Sequence, residues 1–128
     1  MPEQEKITIN LSAVDLGKID LLVQEGLYSN RTDFIRTAIR NLLDKHTFEI
    51  QQSVTRNSYL VGALVYGKSE LEKIQAKGEK VRMTVVGFLR LDNDISPELA
   101  LAVIESIEVR GVFHASEAVK AALADRTK

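Results

Sequence analysis

Residues 6–11, Lys-Ile-Thr-Ile-Asn-Leu, alternate strictly between polar and apolar positions. Ile7, Ile9 and Leu11 share one face and Lys6, Thr8 and Asn10 the other, which is the period of a half-buried strand. The period then lengthens. Ser12, with Asp15 three residues on, opens a helix as a near capping box. Leu16, Ile19, Leu22 and Val23 recur at helical spacing, and Gly26 supplies a left-handed C-cap. After the turn Leu27-Tyr28-Ser29-Asn30, a second helical pattern runs from Arg31 to about His46. Phe34, Ile35, Ala38, Ile39, Leu42 and Leu43 lie on one side of it. Asn30 or Thr32 is its N-cap, and Asp33 suits the positive end of the helix dipole.

A strand-helix-helix unit of this size leaves its strand unpaired and buries too little apolar surface to stand alone. Its simplest partner is a second copy, pairing strand with strand antiparallel around a shared helical core. Residues 47–57 lose the helical stripe yet hold no Pro or Gly, and are read as a linker, with an extension of the second helix as the alternative. Beyond them an apolar run carrying a single glycine recurs three times, at Gly62, Gly87 and Gly111, with spacings of 25 and 24 residues. Each run is followed by a serine and a short helical pattern, at Ser69, Ser96 and Ser116, with Pro97 at a first helical position. The expectation is a C-terminal α/β module, residues 58–128, of about three strand-helix repeats, each unable to bury its own apolar face. The fold class is α+β.

Composition narrows the function. The chain has 128 residues and no cysteine, which excludes a disulfide scaffold, a thiolate zinc site and a thiol nucleophile. Its formal charge is -1, so any nucleic-acid binding must come from placed charges rather than a basic bulk. No apolar stretch is long enough to span a bilayer and the start does not read as a signal peptide, so a cytoplasmic location is expected.

Together, Lys6-Ile-Thr-Ile-Asn-Leu-Ser, Asp15-Leu-Gly-Lys-Ile-Asp-Leu-Leu-Val-Gln-Glu-Gly and Tyr28-Ser-Asn-Arg-Thr-Asp-Phe-Ile-Arg-Thr-Ala-Ile-Arg-Asn-Leu-Leu resemble a ribbon-helix-helix DNA-binding domain of the CopG type. The resemblance covers residues 1–46, about a third of the chain. It implies a homodimeric transcription regulator, a repressor by expectation, whose paired strands enter the major groove of double-stranded DNA. Lys6 can donate to guanine, Asn10 can pair bidentately with adenine, and Thr8 can exchange hydrogen bonds and offer a methyl to thymine. Ser29, Asn30, Arg31 and Thr32 stand where a helix N-terminus can hold a phosphate. Ile7, Ile9, Leu11, Phe34, Ile35, Ala38, Ile39 and Leu42 form the expected dimer core. Arg36 and Arg40 read as solvated surface.

No cofactor is expected and no catalytic set stands out. The only histidines, His46 and His114, are far apart in sequence, which speaks against a metal-sensing module. Asp92-Asn93-Asp94 lacks the glycine and distant glutamate of a calcium loop and reads as a turn. The C-terminal module is expected to raise oligomeric order. The rival reading is an antitoxin or self-assembling interaction protein whose module binds a protein partner. A further alternative makes residues 83–123 a second ribbon-helix-helix unit, with Met83–Leu91 as its strand and Ser96–Ile107 as its first helix.

Overall fold

A computed structural model describes residues 4–128. In chain order it comprises α1 (Ala13–Gln24), α2 (Arg31–Lys45), α3 (Thr47–Asn57), β1 (Leu60–Tyr66), α4 (Lys68–Ala76), β2 (Val81–Leu91), α5 (Pro97–Val103), β3 (Ile104–His114) and α6 (Glu117–Ala122), with a final 3-10 turn at Ala124–Arg126. The chain forms two compact units. One is residues 6–53; the other is residues 54–128 together with residues 4 and 5.

In the first unit the helix ends fall where the capping residues dictate. Ser12 Oγ accepts from the Asp15 N–H at 3.1 Å and starts α1. Gly26, at φ 83°, ends it, and the Leu27 N–H reaches back to the Leu22 carbonyl at 3.0 Å. Asn30 Oδ1 accepts from the Asp33 N–H at 2.8 Å to open α2, while the Asp33 carboxylate accepts from the Ser29 N–H at 2.9 Å. Tyr28 meets Phe34 edge to face, 5.0 Å between centroids. Of all the apolar side chains on α1 and α2, only Ile19 is fully buried, at 6% exposure. Phe34 and Ile35 are half-buried; Ala38, Ile39 and Leu42 are exposed, as are Ile7, Ile9 and Leu11. Residues 6–11 lie outside any helix or strand of the single chain. The alternating segment read from the sequence as a strand thus forms no ladder within one chain.

The linker expectation for residues 47–57 needs correction: they form α3. Thr47 Oγ1 donates to the Asp44 carbonyl at 2.7 Å across the break between α2 and α3. Of the apolar residues of α3, Phe48 and Ile50 are exposed and Val54 is half-buried, so the helix shows no fully buried stripe within its own chain.

The second unit is a three-stranded sheet of order β1-β2-β3, parallel throughout. Parallel neighbours require crossovers, which α4 and α5 supply. Their helices gather on one face, over the odd-numbered residues Met83, Val85, Leu89 and Leu91 of β2, with Leu71, Val103, Ile107, Val119 and Leu123 completing the core. On the helix-free face Phe88 packs edge to face with His114 at 5.2 Å, and His114 Nε2 lies 3.3 Å from the Glu5 carboxylate. Ser96 and Ser116 cap α5 and α6 through their hydroxyls. The Ser69 expectation is displaced: Gly67 is the N-cap of α4, its N–H held by the Glu70 carboxylate at 3.1 Å, and Ser69 lies inside the helix. Asp92-Asn93-Asp94 contains a turn.

Gly62, Gly87 and Gly111 stand opposite one another in the ladder, at φ 143°, 136° and 131°. A Cβ on Gly87 would collide with the Gly62 carbonyl oxygen, and one on Gly111 with the Gly87 carbonyl oxygen. Glycine is therefore required at both by conformation and by close backbone approach. A second ribbon-helix-helix unit in this half is excluded, because α5 ends at Val103 and Ile104–His114 is a strand parallel to β2.

Candidate nucleic-acid interface

Two groups of polar side chains in the first unit carry the DNA-binding expectation. Lys6, Thr8 and Asn10 are exposed and alternate with Ile7, Ile9 and Leu11. In extended backbone, this alternation sends the polar set to the face opposite the apolar one. The second group sits at the start of α2. Asn30, with extended backbone at the N-cap, turns the chain so that the first amides of the helix point outward beside the side chains of Ser29 and Thr32. These three residues line an open cavity of about 360 Å³ together with Asp33, Arg36 and Arg40.

The cavity changes the reading of the charges. Arg31 does not line it. Its guanidinium grips Asp20 on α1 in two parallel hydrogen bonds, Nε at 2.7 Å and Nη2 at 2.8 Å. The hydrogen bonds from Arg31 hold the Asp20 carboxyl below its ordinary pKa, and the same bonds raise that of Arg31. Three of the five guanidinium N–H groups stay outside this pair and can still donate to an anion. Arg36 and Arg40, read from the sequence as solvated surface, are the basic lining of the cavity. Their signal was present in the spacing: positions 36 and 40 continue up the helix from Asp33 on the side of the N-cap. The side chains read as base-contacting and those read as phosphate-contacting thus form two polar groups, with the cations of the second nearer the helix middle than expected.

Among the described residues no cluster of His, Asp and Glu side chains could hold a metal ion, and no helix is long and apolar enough to cross a membrane. The arrangement instead offers amide, hydroxyl and guanidinium donors, the chemistry that holds phosphate oxygens, beside the Asp33 carboxylate, which is engaged by the Ser29 N–H.

The sequence matches the Ribbon-Helix-Helix transcriptional regulator family over residues 2–120. The chain belongs to this family. The ribbon-helix-helix match takes in all three strands of the C-terminal unit, so the family resemblance extends well past the first third of the chain. The transcriptional regulator CdrS of Halobacterium salinarum is 30% identical over 43 residues, 34% of this chain and 78% of that protein. An uncharacterized protein of Archaeoglobus fulgidus is 29% identical over 59 residues, 46% of this chain and 98% of that one. No solved structure matches. Membership makes the chain a DNA-binding transcription regulator, and directs the reading of its polar clusters toward DNA rather than toward a reaction.

Proposed function

We propose that two copies form a homodimeric repressor whose residues 6–11 pair antiparallel and enter the major groove. The observation that carries this is the exposure of the patterned apolar residues: the alternating segment 6–11 and two helices with a regular apolar face bury one side chain, Ile19, within their own chain. Antiparallel pairing would place Ile7, Ile9 and Leu11 against Ile35, Ala38, Ile39 and Leu42 of the helices, removing them from water. It leaves six polar side chains, Lys6, Thr8 and Asn10 from each copy, on the groove-facing side. Ser29, Asn30 and Thr32, with the α2 amides, hold a phosphate on each flank, and Arg31 adds its unpaired N–H groups. The second unit, read as three copies of one strand-helix repeat, supports association of the chains. The protein acts where its DNA lies, in the cytoplasm.

Selection of bound fragments from a random DNA pool tests the reading. The expected result is a two-fold symmetric motif bound by a protein dimer. A folded, dimeric protein that enriches no sequence would overturn it.

A further inference from the structure

The two edges of the C-terminal sheet are finished differently. The outer edge of β3 is covered by residues 126–128. Thr127 bridges to Ile107, the Lys128 N–H donates to the Ile107 carbonyl at 2.8 Å, and Arg126 Nη1 donates to the carbonyls of Leu101 and Ile104. This strand also carries charge at Glu105, Glu108 and Arg110. The outer edge of β1 has neither device. Its seven residues, Leu-Val-Gly-Ala-Leu-Val-Tyr, hold no charge, and Val61 is 63% exposed. Natural sheets blunt exposed edges with charge, proline or a covering segment. Among the described residues no strand pairs with β1 on this side, and the charge that shares a cavity with Val61, Gly62 and Ala63 is Glu5, on a segment that forms no ladder with it.

Gly62 points to what belongs there. Within the glycine row, each glycine's missing Cβ makes room for the carbonyl oxygen of the strand before it. Gly62 keeps the same positive φ, yet nothing lies within 4 Å of the place a Cβ would occupy. The room is made and no strand of this chain fills it. Both filled contacts join parallel strands; what Gly62 leaves on the open edge is backbone room, clear of any side chain, for an added strand to approach closely.

We propose that the added strand is β1 of a second copy, paired antiparallel about a two-fold axis at Ala63 to make one six-stranded sheet. An uncharged edge meets itself without repulsion, and a two-fold pairing closes, consuming both open edges and leaving the two protected β3 edges outside. The length of the strand fixes where this occurs. Seven residues span about 23 Å, too little to bury the roughly 800 Å² per partner of a stable free-standing dimer. The pairing therefore forms between copies already held together, and rests on the ribbon dimer proposed above. Such linkage raises the effective concentration of one module for the other to about millimolar.

The chain has no cysteine, so single-cysteine variants of the full-length protein read the pairing directly. Ala63 is exposed, and antiparallel neighbours lie within disulfide reach. Ala63→Cys is expected to oxidise rapidly to a covalent dimer whose sedimentation mass equals that of the unmodified dimer, whereas Arg110→Cys on β3 should not crosslink. Adding Val61→Lys, at a position already exposed, should slow Ala63→Cys crosslinking about tenfold, because each lysine would face Val65 of the other copy on an edge where charge opposes pairing. A protein that stays dimeric and binds DNA while Ala63→Cys remains reduced would overturn the β1 pairing and leave the ribbon reading intact. Crosslinks that join dimers into four-chain species would overturn pairing within one dimer. A monomer that enriches no DNA would overturn both.

Discussion

The two units use apolar sequence in opposite ways. In residues 54–128 the patterned apolar positions meet inside one chain, where Leu71, Leu89, Ile104, Ile107 and Leu123 are completely buried in one shared core. In residues 6–53 the pattern is at least as regular, yet Ile39, Leu42 and Leu43 on α2 and Ile7, Ile9 and Leu11 before α1 face solvent. Periodicity says that a face will be buried. It does not say in whose company. A regular apolar face that the chain itself leaves open is what the proposed dimer would cover, while a face that crossover helices can reach is completed within one chain.

The sharpest way to break this contrast is to place a charge where it should not matter. Ile39 is 46% exposed in the single chain, and a surface substitution of that kind costs within about 0.5 kcal/mol. If Ile39 is instead buried between two copies, Ile39→Asp strands an unpaired charge in the shared core and costs about 3 kcal/mol or more. The expected outcome is a monomer in sedimentation at micromolar protein, with DNA affinity reduced more than about hundredfold. A dimer with unchanged affinity would show that α2 does not supply the shared core.

The counterpart lies in β2. Leu89 is fully buried among residues of its own unit. Leu89→Ala should destabilise a 54–128 fragment by about 2 to 5 kcal/mol through the lost transfer energy and the cavity left behind. Thermal unfolding of that fragment should be cooperative and independent of its concentration. A fragment unfolded before any substitution would show that this core, too, depends on a second chain.

The same contrast explains which parts of the fold and site were legible. Ser12, Gly26 and Asn30 act locally, through hydrogen bonds and dihedrals set within three or four residues, and each stands where the sequence places it. The glycine spacing became a ladder register because equal crossovers bring equivalent residues side by side. Helix α3, which the sequence offered only as an alternative extension of α2, was ranked behind a linker because Phe48, Ile50 and Val54 make no core-facing stripe, the first two staying exposed; the missing Pro and Gly were the better guide. Ser69 was misjudged because Glu70 can hold the Gly67 amide itself, which moves the cap two residues back. At the site, the grip of Asp20 on Arg31 joins residues eleven positions apart on different helices, a tertiary relation that no local pattern encodes.

Within the polar face, base reading and backbone holding should separate. Asn10→Ala should weaken operator binding by about 1 to 3 kcal/mol and relax preference at one position per half-site. Arg31→Ala should weaken all sequences alike and lower the salt slope by about one unit for each phosphate that the side chain no longer neutralises. Repeating the random-pool selection with each variant separates the two. An unchanged motif with Asn10→Ala would return that residue to plain surface.

The smallest expected effect compares one ion pair from each unit. Arg31 holds the Asp20 carboxyl below its ordinary pKa, and Arg82, hydrogen-bonded at 2.8 Å, does the same for Glu105 between β2 and β3. A carboxyl whose folded pKa is depressed contributes stability that is fully present above its unfolded pKa. That contribution is lost as pH falls through the folded value. Both pairs are exposed, so solvent screening keeps each contribution small. Residue-resolved carboxyl titration by NMR should find both midpoints below those of free side chains. Arg31→Ala should raise the Asp20 midpoint alone, and Arg82→Ala the Glu105 midpoint alone, with Lys80 still lowering the latter. The two differ in what acid does next: on the proposed reading, protonating Asp20 frees an arginine at the start of α2 for a phosphate, whereas protonating Glu105 only loosens two neighbouring strands. DNA-bound protein should therefore hold Asp20 less tightly ionised than free protein, with Glu105 unmoved. An Asp20 midpoint that DNA leaves unchanged would show that Arg31 stays with its carboxylate on the operator, and the phosphate contact would then fall to Ser29, Asn30, Thr32 and the arginines one and two turns along α2.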